Sequence, residues 1–172
     1  MSSNMQPAMA PGPASAPRNN MMPPNIFDPR NDGSDYYWYV ANPTNGGTSP
    51  LAPAATGNTS IQIDAGTDFY WIATTIQADI AEGALTESTD IIPLVTVLIH
   101  DTSTRRNLMN APVPLGSICG DGKRPYRLVR PRLFRANSII NLTFTSYVAA
   151  GTTYGNLYFT LHGYRRLVTP PS

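Results

Sequence analysis

Apolar and polar positions alternate with a period of two along much of the chain, the signature of half-buried β-strands. In Ile139–Tyr147, residues Ile140, Leu142 and Phe144 share one face, and Asn141, Thr143 and Thr145 share the other. In Asn156–Arg165, Leu157, Phe159 and Leu161 alternate with Tyr158, Thr160 and His162. Leu94–His100 places Val95, Val97 and Ile99 on one side, and Leu98 opposite them predicts partial burial on both faces. Phe69–Ile80 is read with Tyr70, Ile72, Ile76 and Ile80 on one face; Ile61–Ile63 begins another strand, and Tyr36–Ala41 is a short aromatic one.

The stretches between these strands are rich in turn formers. Residues 42–60 carry Asn45-Gly46-Gly47, Pro50, Pro53 and Gly57-Asn58, and read as a long surface loop; Glu82–Asp90 reads as another. Ala149–Thr153 reads as the loop of a hairpin joining the last two strands. Residues 105–135, broken by Pro112, Pro114, Pro125 and Pro131, read as edge strands or crossover loops. No stretch has a helical period. Seven or eight strands result, and a single open sheet of that size would leave an apolar face wet. The expected fold is therefore an all-β antiparallel β-sandwich, and the long crossovers favour the jelly-roll type.

Composition adds an extension to this body. The 172 residues divide into an arm (1–34), a sandwich domain (35–168) and a short tail (169–172). The arm holds seven prolines and five methionines, and proline closes both helix and sheet interior to it. A solvated disordered tail is the plainer reading, but such tails are rich in charge and this one has little. The arm is expected to lie as an extended strap on a neighbouring subunit, with Met5, Met9, Met21, Met22, Ile26 and Phe27 as its contacts.

Charge changes the picture further. Charged residues form only 13% of the chain, about half the usual share of roughly 25%, as expected where surface is covered by neighbours. The total of +1 hides a split: residues 1–104 hold two basic and ten acidic side chains, and residues 105–172 hold ten basic and one acidic. Arg105, Arg106, Lys123, Arg124, Arg127, Arg130, Arg132 and Arg135 fall within one segment. Nucleic acid is one partner for such a cluster. Seven of the eight are arginine, which suits paired carboxylates, and only Tyr126 and Phe134 interleave for base stacking. Pairing with protein carboxylates is therefore preferred over nucleic acid. Asp64, Asp68, Asp79, Glu82, Glu87 and Asp90 are the candidates, within the subunit or between subunits.

Catalytic chemistry finds little support. Gly116–Arg124 departs from the phosphate-loop template, with Ser117 at the first glycine position and Arg124 where Ser or Thr is needed. His100-Asp101 and Asp64/Asp68 read as polar turns. The lone Cys119 forms no internal disulfide, and two histidines leave little for a metal cage. No cofactor, metal or enzymatic role is expected. No apolar run is long enough to span a membrane, and the N-terminus lacks the pattern of a secretory signal.

Residues 61–167 carry a resemblance. Asp64-Ala65-Gly66-Thr67-Asp68-Phe69, the stretch Asp101–Pro114, Arg127–Ser138 and the terminal Leu161–Arg166 follow one another in an order similar to small virion proteins of tailed bacteriophages. Those proteins form β-sandwich accessory subunits on the head or neck. The resemblance implies a structural, non-enzymatic homo-oligomer, a trimer or dimer, assembled in the host cytoplasm and carried in the virion. The expected role is a capsid decoration or cement subunit that clamps the major capsid or other virion proteins; a neck, collar or head–tail connector position is the near alternative. A carbohydrate- or receptor-binding sandwich, with Tyr36, Tyr37, Trp38 and Tyr39 as stacking rings, is the alternative of another class.

Overall fold

A computed structural model describes residues 34–45, 49–80, 93–150 and 153–168. Nine strands appear in chain order: β1 (Ser34–Ala41), β2 (Thr56–Gln62), β3 (Thr67–Ile80), β4 (Val95–Asp101), β5 (Arg106–Asn107), β6 (Val113–Pro114), β7 (Tyr126–Phe134), β8 (Ile139–Ser146) and β9 (Tyr154–Leu167). One short helix, α1 (Leu115–Ile118), precedes β7. The strands form two antiparallel sheets, ordered β1-β9-β3-β7 and β2-β8-β4-β5, with β6 also on β4. The expected arm and tail lie outside the described residues.

The period-two pattern fixes which residues meet. Leu157, Phe159 and Leu161 of the first sheet and Val97, Ile99, Ile140, Leu142 and Phe144 of the second are all buried in one core. Phe144 and Phe159 close the space between the sheets, rings edge to face at 5.7 Å. Each fully buried side chain of this size contributes about 1.5–3 kcal/mol relative to exposure.

Four expectations need correction. The last two strands do not form a hairpin: β8 pairs with β2 and β4, whereas β9 pairs with β1 and β3, so residues 147–153 cross between the sheets. Two strands with the same inward–outward alternation look alike whether they share a sheet or face each other, and the glycine in the loop did not decide between the two. The supposed loop 42–60 contains β2 from Thr56 onward; its polar residues suit an edge strand with one wet face. The region 105–135 is less broken than its prolines implied, because β7 runs for nine residues through Pro131. It lies at a sheet edge, where a missing donor is tolerated. In β3, the pairing with both neighbours shifts between Trp71 and Ala73. Phe69 and Trp71 are buried, while Tyr70 pairs with Tyr164 across the sheet; beyond the bulge, Ile76 pairs with the inward Phe159. The bulge thus puts Tyr70 and Ile76 on opposite faces, against the single-face reading.

The registers also separate the two ends of the body. Ile80 pairs with Tyr154 and Val95 with Ser146, so residues 81–94 and 147–153 leave from one end. Thr67 pairs with Leu167 and Asp101 with Arg106, so the β4–β5 turn and the β7–β8 turn lie at the other.

Candidate interaction surfaces

The basic segment is divided by the fold. Arg132 and Arg135 pair inside the subunit, with Asp101 (3.5 Å) and Asp68 (2.9 Å). Asp101 follows the alternation of Val95, Val97 and Ile99, so it is fully buried at the end of the core strand. Burial works to raise its pKa, yet donors from Ser103 and Thr104 outweigh that and hold it below its ordinary value. Asp68 also accepts the Ala136 N–H, tying β3 to the β7–β8 turn. Asp64, a further expected acceptor, is taken by Arg165 at 2.9 Å. Arg105, Arg106, Lys123, Arg124, Arg127 and Arg130 form no ion pair among the described residues, and all six are exposed. Asp79 is likewise outside these pairs, and Glu82, Glu87 and Asp90 lie outside the described residues.

A cleft of about 710 Å³ opens where β7 meets β5 and β6, between the free edges of the two sheets. Trp71, Leu108, Met109, Ile118 and Leu128 give it an apolar floor, and Arg130 and Arg132 line it as well. The pairing of β7 with β3 jumps from Arg127 opposite Ala73 to Arg132 opposite Trp71, so residues 128–131 swing out of the ladder and shape its wall. The Arg132 Nε is buried and finds no acceptor among the described residues. The turn into β7 flanks the cleft. Asp121 accepts the N–H groups of Lys123 and Arg124, and Gly120 is packed so tightly on the Arg124 carbonyl that a Cβ would lie 1.7 Å from its oxygen. The prolines drew attention away from these apolar residues in the sequence. The signal that could have found them is the run Leu108, Met109, Val113, Leu115, Ile118, too apolar for exposed crossover loops.

The aromatic run 36–39 splits by alternation. Tyr39 is buried, and Tyr37 lies beneath the Arg165 guanidinium, 3.7 Å from ring centroid to cation. Tyr36 and Trp38 point outward and are 63% and 64% exposed, so two of the four expected rings are available to a partner. Tyr164 donates to Tyr36 at 2.6 Å, and Trp38 lies 5.7 Å from the His162 ring. His162 in turn bonds Thr75 at 2.8 Å, and burial lowers its pKa. Together these residues make an aromatic patch on the outer face of the first sheet, beginning at the edge strand β1.

Nucleophile and metal chemistry gain nothing here. Burial pushes the Cys119 thiol to about 12, far from thiolate reactivity near neutral pH. Among the described residues, no group of three His, Cys, Asp or Glu side chains is placed to hold a metal ion, and no helix is long and apolar enough to cross a membrane. Comparison with models of known families, with curated proteins and with solved structures finds no match, and the surfaces themselves carry the functional argument.

Proposed function

We propose that this chain is a structural virion subunit that grips neighbouring subunits, copies of itself included. The observation that carries this is the nested strand pairing: β1 with β9, β2 with β8, β3 with β7, and β4 with β5 and β6. Such nesting is one long antiparallel hairpin rolled into two sheets, which is the jelly-roll arrangement used by viral capsid domains and by lectins. Fold analogy alone does not assign a function. The surfaces add support, because six unpaired cations, an apolar cleft and an exposed aromatic patch on a body poor in charge all suit contact with protein. The Pro/Met arm would add an extended strap to these contacts and raise avidity by multivalency. Shell decoration and a neck or collar position share this chemistry and differ in copy number, many per particle against a single small ring.

The exposed Tyr36 and Trp38 favour one second reading, a sugar-binding face on the same sheet. Sedimentation of the purified full chain, with a parallel glycan screen of wild type and Trp38→Ala, separates the two. Concentration-dependent assembly without glycan binding supports the structural subunit. Glycan binding by a monomer, abolished in Trp38→Ala, overturns it in favour of the second reading.

A further inference from the structure

Resting on the structural-subunit proposal, we infer that the cleft beside β7 is the docking site for the acidic segment 81–92 of a second copy of this chain. Two observations choose that occupant. The first is charge. Asp64, Asp68 and Asp101 are already paired within the subunit, by Arg165, Arg135 and Arg132. Arg130 in the cleft wall and Lys123 and Arg124 on the flanking turn remain without a described carboxylate. Segment 81–92 holds Glu82, Glu87 and Asp90 and no basic residue. It also holds Leu85, Ile91 and Ile92, apolar side chains suited to a floor of Trp71, Leu108, Met109 and Leu128. Carboxylates over an apolar anchor match cations over an apolar floor, and such complementarity fixes both partner and register.

The second observation is reach, which makes the contact intermolecular. The segment leaves β3 after Ile80, and the cleft is centred on Trp71, nine residues back along the strand. At about 3.3 Å per residue that is roughly 30 Å. Twelve residues that must return to Pro93 extend at most six out and six back, roughly 20 Å. A subunit's own segment falls short of the centre of its own cleft, so a neighbour supplies it. The contact is heterologous, end of one copy to side of the next, and such contacts close into rings or continue into shells.

Charge exchange tests this. One full-length variant carries Glu82→Lys, Glu87→Lys and Asp90→Lys; the other carries Lys123→Glu, Arg124→Glu and Arg130→Glu. In sedimentation velocity each variant alone should associate at least about tenfold more weakly than wild type. Mixed in equal amounts they should recover wild-type assembly, because each then meets an opposite charge at both of its contacts. Recovery also shows that both variants are folded. Variants that assemble normally alone, or that stay apart when mixed, overturn the docking. A cleft variant that weakens assembly while the 81–92 variant does not overturns it in favour of another occupant, such as the arm. A wild-type chain that stays monomeric at every concentration refutes the structural-subunit proposal itself, and so is distinguishable from failure of the docking alone.

Discussion

Asp101 offers a quantitative test of what holds the open edge of the body together. Its carboxylate is fully buried and accepts three hydrogen bonds from the turn: the Ser103 N–H at 3.0 Å, the Ser103 hydroxyl at 2.6 Å and the Thr104 hydroxyl at 2.9 Å. It also faces Arg132 across the two sheets at 3.5 Å. Hydrogen bonds to a charged acceptor contribute about 1.5–3 kcal/mol each. Ser103 and Thr104 are exposed and can turn to water, so the lower end applies and the three together come to about 3–4 kcal/mol. The Arg132 side chain is 40% exposed, so its ion pair is discounted to about 0.5–1 kcal/mol. Asp101→Ala should therefore cost about 3–4 kcal/mol, and the coupling in a double-mutant cycle of Asp101→Asn with Arg132→Gln should stay below about 1 kcal/mol. Urea unfolding followed by fluorescence of the buried Trp71 reads both quantities. A coupling above about 2 kcal/mol would show that the ion pair, not the turn, dominates, and would refute the assignment. Because the folded pKa lies below the ordinary 3.8, the contribution is present above that value and is lost as pH falls through the lower folded one. Asp101→Asn should flatten this acid limb.

Further outcomes follow from packing and burial. Gly163→Ala should destabilise by more than about 3 kcal/mol in the same urea assay, since a Cβ there would lie 2.2 Å from the Tyr70 carbonyl oxygen and 2.6 Å from the Phe69 ring; a loss under about 1 kcal/mol would mean the β3 bulge relaxes freely. Cys119 in the folded chain should resist a thiol reagent at pH 8 and react only as urea unfolds it, and immediate reaction would contradict its burial. His162 should titrate below 6.5 by NMR, with stability present above 6.5 and falling as pH drops through its lower folded value; a normal or raised pKa would contradict the buried bond to Thr75.

Much of the fold was legible from alternation alone. Val95, Val97 and Ile99, Ile140, Leu142 and Phe144, and Leu157, Phe159 and Leu161 all point inward as their period of two implies. Alternation does not say which strand sits beside which, and so β8 and β9 were taken for a hairpin although they belong to different sheets. Nor does it survive a bulge: one extra residue between Trp71 and Ala73 reverses the face of everything beyond, which is why Tyr70 and Ile76 were grouped wrongly. Thr56–Ser60 carries too little apolar signal to announce an edge strand. At the candidate site, the arginine cluster was visible but its division was not. Arg132 and Arg135 are singled out by Asp101 and Asp68, partners that only the folded chain brings near. The cleft was hidden for a similar reason, since Trp71, Leu108 and Leu128 lie far apart in sequence and meet only at the sheet edges.

The central claim is that this body exists to hold other subunits, and the mass of the purified full chain in solution tests it most directly. Sedimentation velocity across a range of concentrations should show species that are multiples of the 18.6 kDa chain, growing with concentration and dissociating as salt screens the unpaired arginines. A single 18.6 kDa species at every concentration and salt would contradict it.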